Sequence, residues 1–146
     1  MKLIDHFING KSANFSGLSS TPVFNPASGE ETARVVLGTS DCINAAVNSA
    51  KEIFPEWSNT TPIVRARKMF KLKELIEFRQ NELAKLISQE HGKTFDDAKG
   101  EVARGLEVVE FACGIPHALK GEYSPQVAGG VDVYSLRQPV GVVAGI

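Results

Sequence analysis

The sequence predicts an α/β fold, and three stretches predict it. Residues 1–38 alternate short β-type segments with turns, residues from Ser40 to Lys120 carry a helical period, and the chain then returns to β-type sequence. The last stretch ends in Val140-Gly141-Val142-Val143-Ala144-Gly145-Ile146, which reads as a central strand of a parallel sheet, apolar on both faces. A parallel strand needs a crossover and a neighbour. Neither follows in the sequence. The expected molecule is therefore the N-terminal piece of a larger α/β protein.

Within residues 1–38, His6-Phe7-Ile8-Asn9-Gly10 is a short strand ending in an Asn-Gly turn. A Ser- and Gly-rich loop follows from Lys11 to Thr21. Asn25-Pro26-Ala27-Ser28-Gly29-Glu30 is a strong turn, with Pro presetting φ and Gly free to take φ > 0. It separates Pro22–Phe24 from Thr32–Leu37 and predicts a hairpin, which needs something else to pack on.

The helical region divides at its caps. Ser40 or Asp41 caps a first helix with Ile43, Ala46, Val47, Ala50 and Phe54 on one face, and Pro55 ends it. Thr61 caps the next, with Pro62 at the first position, where a missing N–H costs nothing. Its stripe is Met69, Leu72, Leu75, Ile76, Leu83, Leu86 and Ile87, and Arg79-Gln80-Asn81 divides it into two helices. Gly92 stops it as a left-handed cap. Thr94 opens a third helix, with Asp97 placed to bond back to the cap. That helix has one stripe of Phe95, Ala98, Val102, Leu106, Val109 and Cys113, and Val108, Phe111 and Ile115 fall nearly opposite. Two apolar sides predict burial on two sides.

After Gly121, the Gly129-Gly130 pair signals a turn. Val131 to Gln138 has strand propensity with no cleanly apolar face, which suits a protruding ribbon.

The charge balance excludes several functions. The 146 residues hold 16 Lys plus Arg against 17 Asp plus Glu, a net charge of −1, so bulk charge recruits neither nucleic acid nor an anionic membrane. Two cysteines, Cys42 and Cys113, make no disulfide framework and fit a reducing cytoplasm. Met1 to Gly10 has no apolar run of signal-peptide length.

Few residues suggest chemistry by themselves. Gly92-Lys93-Thr94 looks like the tail of a phosphate loop, but Ile87 stands where the first Gly is needed, and the segment follows a helix. Cys113 lies on an apolar stripe and reads as a small core hydrophobe. Cys42 lies near a helix N-terminus with no base in view. His6, His91 and His117 lack metal-ligand spacing, and no metal site is expected. The dinucleotide fingerprint Gly-x-Gly-x-x-Gly is absent. Arg65, Arg67, Lys68, Lys71 and Lys73 form a basic run balanced by Glu74 and Glu77, a solvated face. Arg104 has two readings. Glu101 and Glu107, at i−3 and i+3, make it half of a surface ion pair. Its position on the side of Val108, Phe111 and Ile115 makes it a fork that could grip a carboxylate. Sequence physics alone favours the ion pair.

Certain segments carry a resemblance. Phe7-Ile8-Asn9-Gly10-Lys11, Asn25 to Glu30, Glu90-His91-Gly92-Lys93-Thr94 and Gln138 to Ile146 look like successive landmarks of the NAD(P)-dependent aldehyde dehydrogenases. The run from Gly100 to His117 is narrower and resembles the CoA-acylating, methylmalonate-semialdehyde dehydrogenase branch. The match spans the chain in order.

The resemblance implies an enzyme that oxidises malonate or methylmalonate semialdehyde with NAD. A cysteine thiolate attacks the aldehyde, hydride passes to the nicotinamide, and the resulting thioester loses CO2 and passes to CoA, giving acetyl-CoA or propionyl-CoA. It implies residues 1–122 as the N-terminal part of an NAD-binding domain, 123–138 as an oligomerisation ribbon using Val131, Val133, Tyr134 and Leu136, and 139–146 as the first strand of the NAD-binding sheet. Ile146 would touch the edge of the NAD site, and Arg104 would hold the substrate carboxylate. The nucleophile and most NAD contacts would lie beyond this chain, so neither NAD binding nor catalysis is expected of these residues alone. The whole enzyme would be a cytoplasmic homodimer or homotetramer. The competing readings are a non-acylating aldehyde dehydrogenase, such as one for succinate semialdehyde, and a non-catalytic helical interaction module.

Overall fold

Turn chemistry builds the N-terminal sheets. In the computed structural model, which describes residues 2–146, Asn9 and Gly10 both have positive φ, 53° and 74°. That pair of left-handed residues closes a two-residue turn whose twist matches paired strands. It joins β2 (His6–Ile8) to β3 (Lys11–Ala13) in antiparallel register, with Ile8 opposite Lys11. Lys11 to Ala13 was expected to begin a loop. The tight turn instead returns the chain directly alongside β2, so those residues pair.

The second hairpin forms where the sequence predicts it, from β4 (Ser20–Phe24) and β5 (Glu31–Val36). The Asn25 side-chain oxygen accepts the Ala27 N–H at 2.8 Å, and Gly29 takes φ of 74°. The hairpin finds a partner that the sequence did not announce. β1 (Lys2–Ile4) lies parallel to β5, giving the order β1-β5-β4. Three residues are too few to show a period, so β1 is visible only through its pairing.

The first helix, α1 (Ser40–Asn59), runs through Pro55. The expected stop there is wrong because Pro55 lies in the last turns, where the loss of one N–H is small. Side chains also bind the carbonyls that follow: Ser58 Oγ and Asn59 Nδ2 donate to the Pro55 carbonyl at 3.1 and 2.8 Å, and Thr60 Oγ1 to that of Glu56 at 3.0 Å. The N-cap is Thr39, one residue earlier than expected. The face of α1 turned inward also differs from the expected one. Cys42 is buried and Ala45, Ser49, Ala50 and Phe54 are half-buried, whereas Ile43, Ala46 and Val47 are exposed. The small β2–β3 hairpin covers only a narrow side of this helix.

The next three helices follow their caps. They are α2 (Pro62–Phe78), α3 (Gln80–His91) and α4 (Phe95–Cys113). The break between α2 and α3 falls at Arg79, which leaves helical geometry with φ of −102° and ψ of 13°. Gly92 caps α3 with φ of 80°. Thr94 Oγ1 accepts the Asp97 N–H at 3.2 Å, as its spacing predicts. A short turn, α5 (Ile115–Ala118), follows Gly114.

The core sits where α2 and α3 meet α4. Ala84 and Ala98 are wholly buried, Val102 is nearly so, and Ile76, Leu83 and Ile87 pack around them. Small residues at the crossing let the helices approach closely. The opposite side of α4 is open: Val108 is 68% and Phe111 75% exposed. Burial on both sides was expected. Among the described residues nothing covers the second side. The same holds for the whole surface. The chain exposes 11332 Å², whereas a compact protein of 15.8 kDa exposes about 7,300 Å².

At the far end, β6 (Tyr123–Ala128) and β7 (Val131–Tyr134) form an antiparallel ribbon turned by Gly129-Gly130, with every strand residue exposed. β7 ends at Tyr134, short of the expected Gln138. The strand expected over 139–146 is not formed either; residues 135–146 have no regular structure. A parallel strand exists only through hydrogen bonds to a neighbour, and none lies beside this segment among the described residues. Gly141 and Val142 instead border a small hollow against Val47, Lys51 and Phe54 of α1.

Gly92 is a critical joint. Its φ is positive, and a Cβ there would stand 3.0 Å from Pro26 Cγ. Gly92→Ala is expected to destabilise the chain by about 1–2 kcal/mol, from left-handed strain plus crowding. Urea unfolding followed by circular dichroism checks this, and an unchanged midpoint would refute it.

Candidate functional site

Arg104 projects from the exposed side of α4. It lies two residues, or about 200° of rotation, beyond buried Val102, and so faces away from α3. Around it is a shallow polar depression lined by Lys93, Asp96, Asp97, Gly100 and Glu101. Gly100 stands one turn before Arg104 and leaves that turn bare. A helical side chain leans toward the preceding turn, so the guanidinium has room there for a ligand.

The ion pairs expected for Arg104 are not formed. Glu101 bonds instead to Lys93 Nζ, and among the described residues no carboxylate lies within ion-pair distance of Arg104. Lys93 holds the Glu101 carboxyl below the usual glutamate range, first by its hydrogen bond and then by its charge. Partial desolvation opposes this, and His91 and Arg104 contribute least. Arg104 thus keeps its fork of donors unengaged. Spacing rules for helices do not reveal the Lys93–Glu101 pair, because Lys93 lies before the first turn, eight residues away.

The other sequence candidates are dispersed. Cys42 and Cys113 are both buried. The Cys42 sulfur lies 3.6 Å from Thr39 Oγ1, with no base bonded to it, and both cysteines pack as small apolar groups. His6 stacks edge-on against Phe15 at 5.9 Å. Ile146 is fully exposed and borders none of the surface hollows near Arg104. Among them, no three His, Cys, Asp or Glu cluster as metal ligands, and no helix is long and apolar enough to cross a membrane.

The ribbon has its own polar joint, which sequence reasoning missed. Val131, Val133, Tyr134 and Leu136 are exposed. Between Ser124 and Ala128 the pairing register shifts, and Gln126 takes φ of 50°. Asp132 holds this bulge. Its carboxylate accepts the Gln126 N–H at 2.8 Å and the Tyr123 hydroxyl at 2.6 Å. These bonds, Tyr123 first, lower the Asp132 pKa, and the same bond raises that of Tyr123. Pro125, which cannot donate to a ladder, was the available signal.

The family model for the aldehyde dehydrogenase family matches residues 14–146. The chain belongs to the aldehyde dehydrogenase family. It is 45% identical over its whole length to a malonate-semialdehyde dehydrogenase of Pseudomonas aeruginosa, covering 29% of that protein. It is also 45% identical over 143 residues to an acylating, mitochondrial methylmalonate-semialdehyde dehydrogenase of Arabidopsis thaliana, covering 24% of it. Among solved structures, one from Sinorhizobium meliloti 1021, provisionally named methylmalonate-semialdehyde dehydrogenase and complexed with NAD, superposes with a TM-score of 0.91. The identity is 47%, over 97% of this chain and 29% of the other. A methylmalonate-semialdehyde dehydrogenase from Oceanimonas doudoroffii gives 0.90 at 45% identity, over 95% and 28%. The chain thus spans under a third of these relatives, and its α/β arrangement matches the N-terminal part of the aldehyde dehydrogenase fold.

In this aldehyde dehydrogenase chain, Asp132 favours the closed ribbon above the usual aspartate range, and the benefit is lost as pH falls through its lowered pKa. Tyr123→Phe removes the largest cause of the lowering. The Asp132 carboxyl is then expected to titrate at higher pH, and the ribbon to loosen at a higher pH than in the wild type. Carboxyl-carbon NMR titration checks both; identical curves would refute the role of Tyr123.

Proposed function

We propose that these residues act as the N-terminal part of an NAD-dependent, CoA-acylating malonate- or methylmalonate-semialdehyde dehydrogenase, in which Arg104 holds the substrate carboxylate. The observation that carries this reading is an arginine fork without a protein partner, in a chain 45% identical along its length to a malonate-semialdehyde dehydrogenase. Such a substrate carries a carboxylate beside its aldehyde. A guanidinium binds a carboxylate through two parallel N–H···O bonds, which fix direction as well as position. Arg104 would thereby orient the aldehyde at the other end of the molecule, and the bare turn at Gly100 would admit the ligand.

The chemistry would come from elsewhere in the enzyme. Cys42 and Cys113 are buried and have no bonded base, which supports a nucleophilic cysteine outside these residues. That thiolate would add to the aldehyde, loss of hydride from the adduct to NAD would leave a thioester, and the thioester would lose CO2 and pass to CoA as an acetyl or propionyl group. NAD, held by the rest of the enzyme with Ile146 at the edge of its site, would supply the hydride acceptor. The large uncovered apolar surface of α1 and α4 suits a piece that packs against the remainder of a larger protein. The exposed ribbon suits a contact between subunits, in a homodimer or homotetramer of a cytoplasmic enzyme.

Two outcomes are expected. The 146-residue chain alone produces no NADH from malonate semialdehyde, NAD and CoA, measured at 340 nm on the order of an hour at micromolar protein; turnover above blank would overturn that assignment. In the full-length enzyme, Arg104→Leu raises the KM for malonate semialdehyde by about tenfold or more while sparing propanal, since a charged hydrogen-bonded pair is worth about 1.5–3 kcal/mol. An unchanged KM would remove Arg104 from the substrate site.

A further inference from the structure

Arg104 is unpaired for a reason that lies outside its own helix. Glu101 is three residues before it, and an acidic residue on the N-terminal side of a cation is the favoured order for a helical pair. Left alone, Glu101 is the natural partner of Arg104. Glu107, on the C-terminal side, has the less favoured order. Yet Glu101 is engaged by Lys93, whose side chain is only 18% exposed and which borders the same depression as Arg104. The position of Lys93 is set by the joint that separates α3 from α4. Gly92 turns the chain with its positive φ, and Thr94 starts α4 through its bond to Asp97, so Lys93 is anchored on both sides.

We infer that Lys93 is a positioning residue for substrate recognition: by occupying Glu101, it keeps the Arg104 guanidinium free for the substrate carboxylate. This rests on the reading of Arg104 given above. Without Lys93, Glu101 would compete with the substrate for the same donors. The competitor is intramolecular and always present, so the loss would appear as weaker apparent binding of carboxylate-bearing substrates. Propanal has no carboxylate and serves as the internal reference.

The test is a set of variants in the full-length enzyme, each read as the ratio of KM for malonate semialdehyde to KM for propanal. Lys93→Met keeps the packed stem and removes the charge. It is expected to raise the ratio about two- to fivefold, the range set by an exposed ion pair. Lys93→Met/Glu101→Gln, which removes the competitor as well, is expected to return the ratio to that of the wild type. Lys93→Arg is expected to keep it there. A purely structural role would shift both substrates together and would not be rescued by Glu101→Gln. The inference is overturned if Lys93→Met leaves the ratio unchanged, or if the double variant stays as high as Lys93→Met. Lys93→Gln reads the same quantity if Lys93→Met does not fold. Arg104→Leu separates the two levels. If it raises the ratio and Lys93→Met does not, only the role of Lys93 fails. If it leaves the ratio unchanged, the carboxylate site itself fails.

Discussion

The close contact of α3 and α4 at Ala84 and Ala98 is the constraint on which the rest depends. Both alanines are wholly buried, so neither position has space for a longer side chain. Ile76, Leu83, Ile87 and Val102 supply the apolar volume around that point. The connection between the two helices is short, and it turns on Gly92, whose backbone only glycine adopts without strain. Together these features fix the rotation of α4 about its axis. Ala98, Val102 and Cys113 turn inward, and Arg104 turns outward. The electrostatics follow from that geometry. Lys73, for example, reaches both Glu77 of its own helix and Glu110 of α4, which raises its pKa, with the Glu77 bond the largest cause. Such exposed pairs are screened and add little to stability beside the apolar contact.

Features governed by local chemistry were legible in the sequence. Gly92, Thr94 with Asp97, Pro62 at the start of α2, and the turn from Asn25 to Glu30 all act within a few residues, and each appears where its chemistry requires; Thr61 stands at the expected cap position, although its side chain makes no cap bond. The basic run on α2 is a solvated face only in part: Arg67, Lys68 and Lys71 are exposed, with Lys71 paired to Glu74, whereas Arg65 and Lys73 are half-buried, because they lie on the same side of the helix as buried Ala66. Features that depend on distant partners were not legible. β1 exists because β5 lies beside it. The inward face of α1 is chosen by a hairpin that ends at Ala13, well before the helix begins at Ser40. Val140 to Ile146 has the composition of a strand, but composition cannot supply the neighbour that makes one.

The site divides in the same way. The position of Arg104 on the outer side of α4 follows from helical period alone. Its freedom does not, because the spacing rule that pairs it with Glu101 ignores a lysine that stands outside the helix. The bulge at Gln126 was hidden for a related reason: Asp132, which holds it, reaches across the ribbon from the opposite strand. In both places a charged side chain settles the geometry of a residue that belongs to another segment.

The alanine crossing also has an evolutionary side. Because Arg104 stands nearly opposite Val102, the azimuth of its guanidinium is inherited from the packing beneath it. A methyl group added at position 84 or 98 would push α4 outward or roll it, and the fork would move without any change in the residues around it. On the role proposed for Arg104, substrate preference would then depend on the hydrophobic interior as well as on the residues at the surface.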